Sequence, residues 1–162
     1  MKKLLLLLVI MCAAIAADAQ LPRVLLRDID GKEVSTDTLR NGGKPFVIDF
    51  FATWCKPCNR ALDAIHEVYE DWQKETGVKI YAVSIDRAQN VQKVKPLVAQ
   101  KGWEYSVLLD TNSTLLRALG IQMIPYTIVC DGKGKIVYRH NGYTDGDEEN
   151  LYEKILEIVG KP

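Results

Sequence analysis

Two cysteines three residues apart, Cys55 and Cys58, are the residues of this chain whose type and spacing promise chemistry. A thiolate is the nucleophile of disulfide exchange. The pair sits in Phe50-Phe51-Ala52-Thr53-Trp54-Cys55-Lys56-Pro57-Cys58, where an apolar run gives way to a helical pattern. A helix that opens after Cys55 brings unpaired backbone N–H groups and the positive end of the helix dipole to its sulfur, and both favour the thiolate. Cys58 then falls one turn further along the same face, within reach of Cys55 or of a mixed disulfide held there. Pro57 fits the first turn, where its missing N–H leaves no bond unmade. Lys56 places a positive charge beside the pair and tunes it in the same direction.

Other uses of two thiols have to be weighed. A zinc site needs four ligands, commonly a second CxxC or a His pair. The remaining candidates, Cys130, His66 and His140, are scattered and lack ligand spacing, so no metal is expected. A purely structural disulfide closing so short a loop would constrain the unfolded chain little. Cys130 lies in an apolar run and reads as a small buried hydrophobe. His66 and His140 have no placed partner and enter no mechanism.

The elements that must position the pair follow from hydrophobic periodicity. Phe46 to Phe51 reads as a buried strand interrupted by one acid, Asp49. Leu62, Ile65, Val68, Tyr69 and Trp72 share one side of a helix that Gly77 ends. Upstream, Val24 to Leu26, the turn Asp30-Gly31 and Glu33 to Ser35 form a short hairpin. Downstream come a strand over Lys79 to Ile85, a helix over Val91 to Lys101 with Asn90 as its N-cap and Pro96 inside it, a strand over Tyr105 to Leu109, and a short helix over Ser113 to Leu119. A hairpin, Tyr126 to Cys130 and Ile136 to His140, and a last amphipathic helix over Asp147 to Val159 complete the pattern. This order predicts an α/β fold, a mixed central sheet with helices on both faces.

The first nineteen residues stand apart. Met1-Lys2-Lys3 is a positive start, Leu4 to Ala17 is apolar but shorter than the roughly 20 residues of a membrane-spanning helix, and Ala17-Asp18-Ala19 has the small-x-small pattern of a cleavage site. We expect a signal peptide over 1–19 and one domain over 20–162, with an uncleaved anchor as the alternative. The whole chain has 21 Lys and Arg against 21 Asp and Glu. That balance offers no basic excess for nucleic acid or for an anionic membrane surface. Export would put the thiol pair in a compartment where disulfides form and persist.

The Trp54-Cys55-Lys56-Pro57-Cys58 segment, the apolar strand before it and Met123-Ile124-Pro125-Tyr126-Thr127 before the hairpin together resemble the thioredoxin superfamily. The closest likeness is to its TlpA/ResA-like branch of exported thiol–disulfide oxidoreductases. The resemblance runs from about Val24 to the C-terminus and implies a thioredoxin fold with an N-terminal hairpin and a strand–helix insertion over about Asp86 to Leu119. It also implies roles. Pro125 is the family's cis-proline, beside the cysteines in space. Ile124 offers its backbone to a substrate segment, and Trp54 shapes the exposed surface. Asp49 matches the buried acid of thioredoxin, a proton acceptor for Cys58 whose pKa burial should raise. Many TlpA-like chains carry Asn there and use an acid elsewhere, so this chain departs from its branch in how it handles the proton.

The expected activity is therefore thiol–disulfide exchange outside the cytosol, in the periplasm or on the outer side of the membrane. Cys55 attacks and Cys58 resolves, with no cofactor beyond the redox-active Cys55–Cys58 couple. The partners implied are exported proteins with disulfides or CxxC pairs, apocytochrome c among them, and a membrane thiol donor that restores the dithiol; a monomer is expected. Pro57 tilts the pair toward reduction, with an oxidase or isomerase as the nearest rival. Peroxiredoxins share the fold but place Thr or Ser three residues before their cysteine, where this chain has Ala52 and Thr53 falls only two before Cys55. Copper-binding relatives use a longer cysteine spacing and a His where this chain has Ile124.

Overall fold

The structure, a computed structural model, describes residues 20–161; the expected signal segment lies outside the described residues. The chain opens with strands β1 (Leu25–Asp28) and β2 (Glu33–Ser35). Their turn is closed by the Asp28 carboxylate, which accepts the N–H groups of Asp30 and Lys32. Strand β3 (Phe46–Phe51) is buried along its whole length. Helix α1 (Lys56–Thr76) leads to β4 (Lys79–Ser84), α2 (Val94–Lys101), β5 (Ser106–Leu109) and α3 (Thr114–Ala118). Strands β6 (Tyr126–Cys130) and β7 (Ile136–Asn141) form the second hairpin, and α4 (Asp147–Ile158) closes the chain.

The seven strands make one mixed sheet in the order β2-β1-β5-β4-β3-β6-β7. Strands β3, β4 and β5 are parallel neighbours, and the outer pairs are antiparallel. The insertion expected after Asp86 comprises α2, β5 and α3. Its strand β5 fills the gap between β4 and β1, so the N-terminal hairpin joins the main sheet instead of standing apart.

The reason β3 is apolar throughout is that it has a core on each face. Val47 and Phe51 pack with Leu62, Ile65 and Trp72 of α1 and with Ile155 of α4. Phe46, Ile48 and Phe50 pack on the other side with Leu115 and Leu116 of α3 and with Ile128. Each large side chain buried there contributes about 1.5–3 kcal/mol. Leu62, fully buried on α1, is the side chain whose truncation to Ala would loosen α1 most directly, at about 2–5 kcal/mol. Tyr105 pins the same turn, its hydroxyl donating to the Leu62 carbonyl at 2.7 Å.

One helix start moves. Val91 to Lys93 is a single 3-10 turn, Asn90 makes no side-chain cap, and α2 begins only at Val94. Pro96 accounts for the shift: it needs a place in the first turn, where no N–H is required, and starting at Val94 supplies it. Helix α1 ends where the sequence indicates, at Gly77, whose φ of +68° is open to glycine and strained for other residues.

Candidate active site

The strand β3 delivers the chain to the start of α1, and Cys55 is the residue at that junction. It keeps an extended backbone as the N-cap of α1, and its sulfur accepts the Cys58 N–H at 3.3 Å. Lys56 and Pro57 occupy the first turn. Cys55 and Cys58 form a disulfide, with Cα atoms 5.3 Å apart. The two sulfur-bearing residues differ in access: Cys55 is 6% exposed and Cys58 is fully sealed. Lys56 and Pro57 are exposed.

The second wall is the start of β6. Phe50 pairs with Tyr126 in the antiparallel β3/β6 ladder, so Pro125 stands at the same end of the sheet as the cysteine loop. The Ile124–Pro125 peptide bond is cis. Ile124 is half-buried and packs against the core that includes both cysteines. Two large apolar side chains in the loops at this end, Trp54 and Met123, are each 62% exposed.

Asp49 sits in the middle of β3 on its α1-facing side, between Val47 and Phe51. It is 1% exposed. Thr127 donates its hydroxyl to Oδ2 at 2.7 Å, and Oδ1 has no hydrogen-bond partner among the described residues. Burial pushes the carboxyl up to about 7, against a smaller pull downward from the Thr127 bond. Asp49 also lines a cavity of about 230 Å³ under α1 and α4, whose walls include Ala61, Thr127 and His140.

Sequence reasoning missed two groups. Asp86, directly beyond β4, is fully buried and holds the loop before Cys55 from behind. It accepts the Thr53 N–H and hydroxyl, both at 2.7 Å, and the Ser84 hydroxyl at 2.9 Å. Asn59 of α1 closes the brace by donating to the Thr53 carbonyl at 3.2 Å. The run Ser84-Ile85-Asp86 at a strand end is the only local hint of this. His140, set aside in the sequence, pairs with Asp147 at 3.3 Å and opens on the Asp49 cavity. Elsewhere, Cys130 is fully buried, and burial pushes its thiol up to about 12, so it is inert. His66 packs edge-on against Tyr105.

A disulfide-bonded CxxC pair at a helix start, with a cis-proline strand at the same end of the sheet, defines a thiol–disulfide oxidoreductase of the thioredoxin fold. The chain belongs to the AhpC/TSA family, whose model matches residues 14–139. It is 32% identical over 124 residues to the thiol-disulfide oxidoreductase ResA of Geobacillus thermodenitrificans, which spans 76% of this chain and 68% of that one. Among solved structures it is similar to an uncharacterized thioredoxin-like protein from Porphyromonas gingivalis. The two share 58% identity with a TM-score of 0.79, over 88% of this chain and 93% of that one. A protein from Chlorobium tepidum assigned as the thiol:disulfide interchange protein DsbE is 25% identical with a TM-score of 0.75, over 88% and 97% of the two chains. Although the family model takes its description from AhpC/TSA proteins, Thr53 spends its hydroxyl on Asp86 and not on Cys55. Thiol–disulfide exchange is the activity for which the ResA and DsbE relatives are named, and the CxxC pair of this chain supplies the groups it needs.

Proposed function

We propose that the protein reduces disulfides of exported proteins outside the cytosol, with Cys55 as attacking and Cys58 as resolving thiol. The observation that carries this reading is the unequal access of the two cysteines. Only Cys55 reaches the surface, at a helix start that favours its thiolate, and it is flanked by the exposed Trp54 and Met123. The Cys55 thiolate attacks one sulfur of the client's disulfide, forms a mixed disulfide and releases the client's other thiolate. Cys58 then gives its proton to the Asp49 carboxylate and attacks the Cys55 sulfur. The second client thiolate leaves, and the Cys55–Cys58 bond stores the oxidation. Two electrons from a membrane thiol donor restore the dithiol.

Ile124 lies just before the β6 ladder, which begins at Tyr126, and takes the client backbone as an added strand. Trp54 and Pro125 shape that groove, and Lys56 and Pro57 tune the pair toward reduction. The apolar leader that ends at Ala17-Asp18-Ala19 supports the extracytoplasmic placement; no helix among the described residues is long and apolar enough to cross a membrane. Exported CxxC proteins, apocytochrome c among them, are the client class that fits the resemblance. A redox titration of the Cys55–Cys58 couple tests the direction. We expect a potential near thioredoxin's, about −270 mV, and a value near about −120 mV would make the protein an oxidant instead.

A further inference from the structure

A row of side chains crosses the sheet on its α1-facing side. Val107 of β5 stands opposite Ala82 of β4, Ala82 opposite Asp49, Asp49 opposite Thr127 of β6, and Thr127 opposite His140 of β7. Directly opposed residues present their side chains to one face. The row is therefore apolar from β5 to β4 and polar from Asp49 outward to β7, the edge strand. The cavity of about 230 Å³ lies over the polar half, with Ala61 and Ile65 of α1 and Leu151 of α4 among its walls. Most of its lining is apolar, but its volume leaves room for water, and Asp49, Thr127 and His140 offer that water polar partners.

Asp49, whose Oδ1 is buried and has no hydrogen-bond partner among the described residues, lines this cavity at its inner end. At the outer end His140 is about one-third exposed and faces Asp147 at 3.3 Å. The strand spacing of about 4.8 Å puts the two ends of the polar row two strands, or about 10 Å, apart. That is too far for a direct transfer and short enough for one or two bridging waters. Asp49 needs such a route, since a carboxyl 1% exposed has no contact with bulk solvent of its own.

We propose that Asp49, Thr127, the cavity and His140 form the proton path of the resolving step, with His140 as its exit to solvent. The inference rests on the reading of Asp49 as the proton acceptor of Cys58. In the resolving step the Cys58 proton moves to Asp49 as Cys58 attacks Cys55. The Asp49 carboxylic acid then passes a proton through the cavity to His140, which releases one to buffer. The carboxylate is restored for the next turnover, and no electrons move in the relay. The groups facing His140 are Tyr138, whose ring stacks on it, Asp147, and across the cavity Tyr143, Glu148 and Lys154. Asp147 is further engaged by the Thr144 N–H, which together with the imidazole holds its carboxyl below the usual range. It therefore stays an acceptor that orients the ring. His140 touches neither substrate nor sulfur, so it is a positioning and relay residue.

The test is a single-turnover reduction of a model peptide disulfide by the purified, reduced protein, followed from pH 6 to 9 in weak buffer. His140→Gln should slow the resolving phase about tenfold, less than loss of a direct acid–base group would, and millimolar imidazole should restore it. Ala61→Leu, which fills the cavity and leaves His140 in place, should slow the same phase without rescue by imidazole. A wild-type rate in either variant overturns the path. A slow His140→Gln that imidazole does not restore overturns it too, as the mark of a merely structural effect. Asp49→Asn separates the two levels: if it also resolves at the wild-type rate, the role of Asp49 itself fails; if it is slow while His140→Gln is not, only the exit fails.

Discussion

Two buried aspartates flank the cysteine loop and are used in opposite ways. Asp86 is fully buried and has committed its oxygens to three donors, two from Thr53 and one from Ser84. Asp49 is equally buried and accepts one bond, from Thr127, while its other oxygen has no partner among the described residues and the residue borders a cavity. Hydrogen bonds to the charged form offset the desolvation of a carboxylate, and without them the proton is retained. One acid therefore holds the loop in shape, and the other keeps a proton available near neutral pH. Burial is common to both; the number of donors differs.

The comparison breaks most sharply at Asp86. Asp86→Ala orphans three donors behind the loop and should cost about 3–5 kcal/mol of stability, measured by denaturant unfolding of the oxidised protein. A loss below about 1 kcal/mol would remove Asp86 from the scaffold.

Asp49 predicts the reverse. Between about pH 4 and 7 the unfolded carboxyl ionises while the folded one keeps its proton. The folded state then binds more protons, so stability falls as pH rises through that window and levels off above it. Asp49→Asn removes this slope. Its stability relative to wild type should improve by roughly 3 kcal/mol between pH 5 and pH 8. Parallel pH dependences of the two proteins would show that Asp49 titrates normally.

The smallest effect belongs to Thr127→Val, which removes the one bond that pulls the Asp49 pKa down. The carboxyl should titrate at higher pH, visible by NMR of the oxidised protein, with a stability change of about 1 kcal/mol. A downward move would mean that the Thr127 bond favours the protonated acid.

The contrast between these acids also marks what could be read in the chain. The cysteine pair, the apolar β3, the length of α1 and both hairpins were legible because each rests on neighbours in sequence: periodicity, a turn pair, a glycine stop. Asp49 stood out as one acid in an apolar run. Asp86 did not, because its partner Thr53 lies 33 residues away and nothing near it looks unusual. Only the register of β3, β6 and β7 sets His140 in line with Asp49, and register is not a property of any one strand. The start of α2 at Val94 has a local cause: the demand of Pro96 for a first-turn position exceeds the cap offered by Asn90.

The unequal access of Cys55 and Cys58 has a consequence for timing. In the proposed exchange a client meets only the outer sulfur, and its departure waits on the inner one, which it never touches. On the proposed mechanism the lifetime of the tethered complex is then set by the attack of Cys58 and by the pKa of the client thiol that leaves. Clients would then arrive at rates set by their fit at Trp54 and Met123 and leave at rates set by the acidity of their own thiol.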